Sequence, residues 1–311
     1  RADEIHAVVP IAAADQRQFM RAEAQAHADQ INQALALLRR FLDWDRALKR
    51  LDELNAKAEM LARIDNKYIL PAWQLAPALE SFADMFDVLD IDGTRDFRYS
   101  TVYFDDLDLR GYYDHHQRRR KRRKTRVRSY VDAGLHYLEV KLNDRRSTTL
   151  KKRLRLGAAT SQLDAEALAF IDGCHAEVYG EPFRKQLSGA IHIRYRRYTL
   201  VAKDGGERMT LDTAMTFTAG GVTASPPADT FIIETKSARG NGIADKILRG
   251  LHVQPTKRVS KYCIGLAACG QVLRHNGFLP AMRRLGLAEW STAQFSANIK
   301  SEERIQGRLP A

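Results

Sequence analysis

Lysine and arginine, placed at every second position of short β-prone segments, carry the clearest chemical meaning in this sequence. In residues 124–131 (KTRVRSYV), Lys124, Arg126, Arg128 and Tyr130 share one parity, with Val127 and Val131 on the other. In 136–143 (HYLEVKLN), Tyr137, Glu139 and Lys141 alternate with Leu138, Val140 and Leu142. The same spacing groups Lys151 with Arg153, Arg194 with Arg196, Arg208 with Thr210 and Asp212, and Glu234 with Lys236. Alternate side chains of a strand face opposite sides of a sheet, so each segment has one charged face. A single antiparallel strand with a wet face needs no function to explain it. As a set these faces are dominated by arginine, whose planar fork suits bidentate contact with phosphate oxygens. Two like charges about 6 Å apart repel by about 3 kcal/mol at an effective dielectric of ~20. A lining of such side chains therefore calls for a polyanion, or for interleaved acids, to offset it.

The composition agrees with a local demand for anions. The 311 residues hold 50 basic and 38 acidic side chains, a net charge of +12, and residues 118–128 (RRRKRRKTRVR) supply nine of the bases. At 44% apolar and 28% charged residues the chain is of globular type, which excludes wholesale disorder. No apolar run approaches the ~20 residues of a membrane-spanning helix, and the opening residues lack the layout of a signal peptide. The cysteines Cys174, Cys263 and Cys269 are odd in number and far apart, which argues against a disulfide framework and for a reducing, cytoplasmic setting.

The elements that must position these residues read as follows. Residues 1–60 form a helical extension with a one-sided stripe through Ile31, Leu35, Leu38 and Leu42, then Leu48, Leu51 and Leu54. It is expected to pack on the rest of the protein; oligomerisation or partner docking through these helices is the alternative. Residues 61–285 form the main domain. A strand at 60–70 stops at Pro71 and a helix follows over 72–88. Further strands are read at 99–104, 124–131, 136–143, 149–156, 190–200, 208–217 and 230–236. Ala133-Gly134 and Asp204-Gly205-Gly206 read as hairpin turns. Helices are read at 163–178, 242–251 and 262–275, a loop at 220–228, and a tail at 286–311. The fold class is α+β: an antiparallel sheet curled so that helices cover its outside and the charged face lines its inside.

Ordered motifs along this frame resemble the VTC domain, the catalytic domain of vacuolar transporter chaperone polyphosphate polymerases, in the triphosphate tunnel metalloenzyme (CYTH-like) superfamily. The resemblance covers about Leu61 to Gly277. It rests on Asp65-Asn66-Lys67-Tyr68, on Tyr103-Phe104-Asp105 followed by Tyr112 and His115, and on Lys124-Thr125-Arg126-Val127-Arg128-Ser129-Tyr130. Leu138-Glu139-Val140-Lys141, Arg194-Tyr195-Arg196 and Arg208-Met209-Thr210-Leu211-Asp212 follow. Ile233-Glu234-Thr235-Lys236 and Ser260-Lys261-Tyr262-Cys263-Ile264-Gly265 complete the series.

The resemblance implies an eight-stranded antiparallel tunnel that grips ATP and inorganic polyphosphate. The implied reaction moves the γ-phosphoryl group of ATP onto the growing chain and releases ADP. Lys67, Arg126, Arg128, Lys141, Lys151, Arg194, Arg208 and Lys261 match phosphate-binding positions, and Arg153, Arg196 and Lys236 join them from the charged faces. Glu234 matches the acid that binds Mn2+ or Mg2+, and Ser260 would hold phosphate beside Lys261. The residues expected to act on the reacting group are Lys261, Arg126, Arg128 and Glu234, with Lys261 or Lys236 exchanging a proton with the chain end. Many superfamily members carry Glu-x-Glu-x-Lys on the first strand, whereas here it is Arg63, Asp65, Lys67, which puts a two-metal, water-activating site in doubt. A metal-dependent triphosphatase or polyphosphatase, or a non-catalytic polyphosphate- or nucleotide-binding module, would fit the same lining.

Other signals carry less. The run at 118–124 reads as a basic tunnel mouth; it lacks the interleaved aromatics of single-strand binders, so nucleic acid is expected to bind only non-specifically. His115-His116 and the pair Cys263/Cys269 lack the rest of a metal pattern. Gly240-Asn241-Gly242 reads as a turn and helix cap rather than a phosphate loop.

Overall fold

The structure is a computed structural model that describes residues 64–91, 93–144 and 149–288. The expected helical extension at 1–60 lies outside the described residues, as does the tail beyond residue 288. The described chain contains ten strands in one antiparallel sheet. These are β1 (Ile64–Pro71), β2 (Phe86–Val88), β3 (Phe97–Asp105), β4 (Arg122–Tyr130), β5 (Leu135–Asn143), β6 (Thr149–Leu156), β7 (Ser188–Ala202), β8 (Arg208–Ala219), β9 (Val222–Ala224) and β10 (Thr230–Ser237). Eight of them run in the order β1-β10-β8-β7-β3-β4-β5-β6, while β2 pairs with β7 and β9 with β8. Within that order β1 and β6 are the two ends, and no pairing joins them among the described residues.

Six α-helices pack on this sheet: α1 (Ala72–Met85), α2 (Arg110–His116), α3 (Ala165–Tyr179), α4 (Ile243–Gly250), α5 (Lys261–Ala268) and α6 (Leu279–Arg284). Helix α1 ends three residues before the sequence reading placed it, because Phe86–Val88 pairs with β7 instead. Helix α5 stops at Ala268, short of residue 275, where Gly270 takes a left-handed φ of 68°.

Three apolar clusters show how the sheet curls. On one outer stretch Tyr68, Leu70, Leu211, Phe231 and Ile233 pack under α1 and α4. On another, Val127, Leu138, Val140 and Leu142 pack under α3. Each large apolar side chain fully buried there contributes about 1.5–3 kcal/mol. The third cluster lies on the opposite face of the sheet: Ile69, Ile191, Ile193, Phe217 and Ile232 meet α5, whose residues Tyr262 through Ala268 are all buried. Helix α5 comes close because Gly265 has no side chain. A Cβ there would stand 2.5 Å from Ile191 Cδ1 and 2.6 Å from Phe217 Cδ1. The concave side is thus apolar where α5 enters it and charged beyond.

Alternation explains the motif Asp65-Asn66-Lys67-Tyr68. Asn66 and Tyr68 face outward, where Asn66 Nδ2 (3.0 Å) and the Tyr68 hydroxyl (2.6 Å) both donate to Asp245 Oδ1 of α4. Thr235 of β10 donates to the same oxygen at 2.7 Å. Asp245 is fully buried, and these donors keep its carboxyl below the usual range although burial opposes that. Asp65 and Lys67 are left facing the other way. Asp105, at the end of β3, is a second hub. It accepts the backbone N–H groups of Gly111 (3.0 Å) and Tyr112 (2.9 Å), the Tyr262 hydroxyl, and Arg123 Nη2 at 3.0 Å, tying α2, α5 and β4 together.

A basic cavity as the candidate phosphate site

A cavity of about 280 Å³ lies on the concave face and collects side chains from both ends of the strand order, β1 and β6, and from five elements between. Asp65 and Lys67 enter from β1, Glu234 and Lys236 from β10, and Tyr195 and Arg197 from β7. Lys124, Arg126 and Arg128 come from β4, Glu139 and Lys141 from β5, Lys151 from β6, and Ser260 and Lys261 from the start of α5. Nine cations face three carboxylates, so the lining keeps a large positive excess.

The carboxylates organise the cations in two groups. Glu139, only 4% exposed, receives Arg126 Nε at 2.7 Å, while Arg128 Nη1 and Lys151 Nζ stand 3.9 Å away. Burial works against its charge, but Arg126 and Arg128 hold its carboxyl down at about 2. Glu234 accepts Lys67 Nζ at 2.5 Å and lies 3.6 Å from Lys236 Nζ. Burial again opposes ionisation, and Lys67 with Lys236 pulls Glu234 well below the carboxylate range. Behind the lining sits Asp212, fully buried, bonded to Arg197 by two contacts (2.6 and 2.8 Å) and to Lys261.

Aromatic faces support several of the same cations without neutralising them. The Arg126 guanidinium lies 5.6 Å from the Tyr103 ring centre, Arg128 5.8 Å from Tyr99, and Lys261 5.1 Å from Tyr195. Arg126 Nη1 also donates to the Tyr103 hydroxyl at 2.8 Å. Burial raises the phenol of Tyr103 but Arg126, Arg128 and Lys124 outweigh it, and its pKa is lowered. Arg128 Nε is buried and has no partner, so this guanidinium keeps an unused donor. Burial lowers the pKa of Lys124, Lys141 and Lys151, with neighbouring cations adding to the effect.

The structure brings Lys67, Arg126, Arg128, Lys141, Lys151, Glu234, Lys236, Ser260 and Lys261 together in one cavity. Ser260 caps α5 and receives Lys124 Nζ at 3.1 Å. Lys261 donates to the buried carboxylate of Asp212, which fixes its position in the lining. Arg153 lies beside the cavity with its guanidinium 5.1 Å over the Tyr137 ring, opposite Glu139 in the register. Arg208 stands opposite Lys236 on β8, outside the cavity lining.

Arg194 and Arg196 do not share the concave face. Both are exposed, Arg196 pairs with Asp96 at 2.6 Å, and it is Ile193, Tyr195 and Arg197 that face the cavity. The parity expected for β7 is corrected by α5: the concave face of this strand has to be apolar at Ile191 and Ile193 to receive that helix. Sequence reading also passed over Arg197 and Lys124 as site residues. The signal for Arg197 was present in the apolar series Ile191, Ile193, Tyr195, whose parity it continues.

A cation could be held by Asp65 and Glu234. Burial and the charge of Glu234 push Asp65 up, a repulsion that a cation between them would relieve. Among the described residues no group of three or more His, Cys, Asp or Glu is placed to hold a metal. The donor set therefore fits a hard cation that takes its remaining ligands from phosphate oxygens and water, as Mg2+ characteristically does, and does not fit an all-protein site. His115 and His116 are not part of it; His116 Nε2 lies 2.7 Å from Asn276 Oδ1. All three cysteines are buried and free.

Comparison with known proteins bears on the same strands. The family model for the VTC domain matches residues 62–269. Among solved structures, the PH1819 protein of Pyrococcus horikoshii OT3 is 15% identical, with a TM-score of 0.39, covering 66% of this chain and 98% of its own. HpAC1 from Hippeastrum, described as having a dominant triphosphatase activity, is 14% identical, with a TM-score of 0.41 over 66% of this chain and 95% of its own. Peptide chain release factor 2 of Paramagnetospirillum magneticum is 62% identical over 40 residues. That match spans 13% of this chain and 11% of the release factor, so nothing of the release factor's activity is carried over. No helix among the described residues is long and apolar enough to cross a membrane. Because the family match spans the strands that build the cavity from Lys67 to Lys261, the chain belongs to the VTC domain family.

Proposed function

We propose that the protein is an ATP-dependent polyphosphate polymerase, transferring the γ-phosphoryl group of ATP to a chain of inorganic phosphates threaded through the basic cavity. The observation that carries this reading is the excess of nine cations over three carboxylates on one concave surface, with Arg128 keeping an unpartnered donor. Membership of the VTC domain family supports it.

In the transfer an oxygen of the chain-end phosphate bonds to the γ-phosphorus as the bond to the β–γ bridging oxygen breaks, and ADP leaves with that electron pair. The acceptor is already an anion, so positioning and charge neutralisation dominate. Arg126 and Arg128 would hold the equatorial oxygens, Arg126 fixed by Glu139 and Tyr103, Arg128 by its place over Tyr99. Lys124, Lys141 and Lys151 would extend the grip along the chain, and Lys67, Lys236 and Lys261 would face them from β1, β10 and α5. A divalent cation shared by Glu234, Asp65 and the phosphates would supply further neutralisation of charge.

The test is incubation with ATP and Mn2+ or Mg2+, with products resolved on a polyphosphate-staining gel while ADP and free phosphate are measured. A ladder with ADP supports the polymerase. Orthophosphate without a ladder makes the protein a triphosphatase or polyphosphatase, and tight binding with unchanged ATP makes it a binding module.

A further inference from the structure

Strand β3 sends Thr101 and Tyr103 into the basic cavity, and among the described residues it is the only strand of the lining that brings no charged side chain. Tyr103 is 7% exposed and its ring is held by two neighbours. Tyr262 of α5 stacks on it, with ring centres 5.0 Å apart and planes 25° from parallel. The Arg126 guanidinium lies 5.6 Å from its ring centre. Tyr262 is itself anchored, its hydroxyl donating to the buried carboxylate of Asp105. The position of the Tyr103 hydroxyl is thus set from β4 and from α5.

Counting protons shows what that hydroxyl has left to do. Its oxygen accepts Arg126 Nη1 at 2.8 Å. A guanidinium offers donors and no acceptor, so the phenol's own proton must point elsewhere. Among the described residues nothing accepts it, and Glu139 and Glu234 are taken by Arg126 and Lys67. Thr101, 1% exposed, has an Oγ1 without a partner, and it stands opposite Arg128, whose Nε is also unpartnered. Three unused donors therefore sit at neighbouring positions of β3 and β4. Buried donors without acceptors destabilise a fold unless a ligand supplies the acceptor. Burial raises Tyr99, Tyr112 and Tyr262 above the ordinary phenol value of 10. At Tyr103 burial acts the same way, but Arg126, Arg128 and Lys124 outweigh it and make this phenol more acidic.

We propose that Tyr103 is a further catalytic residue, its hydroxyl donating to a non-bridging oxygen of the phosphoryl group held by Arg126 and Arg128. This deepens the phosphoryl-transfer reading and rests on it. Arg126 orients the phenol oxygen and Tyr262 fixes the ring, so the O–H is aimed before the anion arrives. Charge gathers on the equatorial oxygens during transfer, which strengthens a hydrogen bond to them. The proton stays on Tyr103 throughout, and only the hydrogen bond forms and is released. A neutral donor also has its own use beside nine cations: it grips the anion without adding to the repulsion within the lining.

The test reads the phenol directly. Tyrosinate absorbance is followed against pH in the full chain, with and without tripolyphosphate, for the wild type and for Tyr103→Phe. Phenylalanine keeps the ring and its stack on Tyr262 and removes only the hydroxyl; Arg126 retains Glu139, and a thermal midpoint close to the wild type's confirms the fold. In the free wild type the earliest phenol transition should fall below the ordinary 10, and Tyr103→Phe should lack it. Tripolyphosphate should move that transition upward, because the bound anion holds the proton in place. At neutral pH the variant should bind tripolyphosphate about tenfold or more weakly, on the scale of a hydrogen bond to a charged group. An upward shift with unchanged affinity in Tyr103→Phe would show that the anion acts through its field alone, and would overturn the proposal. So would an early transition that tripolyphosphate leaves in place, or one that survives in the variant. Both effects in a protein that makes no polyphosphate from ATP would refute the polymerase reading and leave the contact standing.

Discussion

Arg197 and Asp212 stand opposite each other on β7 and β8 and are joined by parallel hydrogen bonds of 2.6 and 2.8 Å. The same carboxylate takes Lys261 from α5, so one fully buried acid fixes two of the cavity's cations.

Replacing Asp212 by Asn should therefore cost about 3–5 kcal/mol of stability, because Arg197 and Lys261 lose their shared buried partner. Chemical denaturation would show this as a lower midpoint. By contrast, Arg194→Ala and Arg196→Ala should each change stability by less than about 0.5–1 kcal/mol, being exposed, and leave tripolyphosphate affinity as in the wild type. Weakened binding in either would mean that the outer face of β7 takes part after all.

Arg126 and Arg128 neighbour the same acid and should behave differently. Arg126→Gln strips Glu139 of its 2.7 Å partner and should lower the thermal midpoint markedly. Arg128, 3.9 Å from Glu139 and with a spare donor, should lose tripolyphosphate affinity by about tenfold or more on change to Gln, with little change in stability. Calorimetric titration and melting of both variants separate the two roles; identical behaviour would contradict the division.

Glu234→Gln tests the cation assignment. The amide keeps the shape but loses the charge that receives Lys67 at 2.5 Å and that would hold a divalent ion with Asp65. Turnover should fall by at least about 100-fold, on the scale of losing one preorganised electrostatic partner. Wild-type turnover with unchanged dependence on Mn2+ concentration would remove Glu234 from the metal role.

The pH response should have two limbs. Asp212 is held near about 2 against an ordinary 3.8, and Glu139 near about 2 against 4.5. Each depressed carboxyl contributes roughly 2–3 kcal/mol, fully present above its unfolded value and lost as pH falls from about 4.5 towards 2. Denaturant midpoints should decline over that window. On the alkaline side, burial has lowered Lys124, Lys141 and Lys151 below 10.5. Their positive charge is lost earlier than in free lysine, so phosphate-chain affinity should begin to weaken before pH 10.5. Affinity constant through that range would show that these lysines do not contact the anion.

Much of the frame was legible because a strand's alternation is local. Lys124, Arg126 and Arg128 oppose Val127 for the same reason that Glu139 and Lys141 oppose Leu138 and Val140, and each apolar row found its helix. On β7 the rule itself held, but the choice of inward face failed. Charge suggested Arg194 and Arg196, and nothing local announced that Gly265 would let α5 press onto Ile191. The motif Asp65-Asn66-Lys67-Tyr68 was visible as a motif, yet its division into two inward and two outward side chains depended on Asp245, 177 residues beyond Tyr68.

The order of residue types along the chain determined that this protein would carry phosphate-seeking faces on a sheet, since side-chain parity and charge are properties of neighbours in sequence. Which arginines line the cavity and which are spent on Asp105, Asp106 or Asp212 was decided only by tertiary structure. A cation's availability depends on the carboxylates that the fold brings within about 4 Å of it, and those lie far away along the chain.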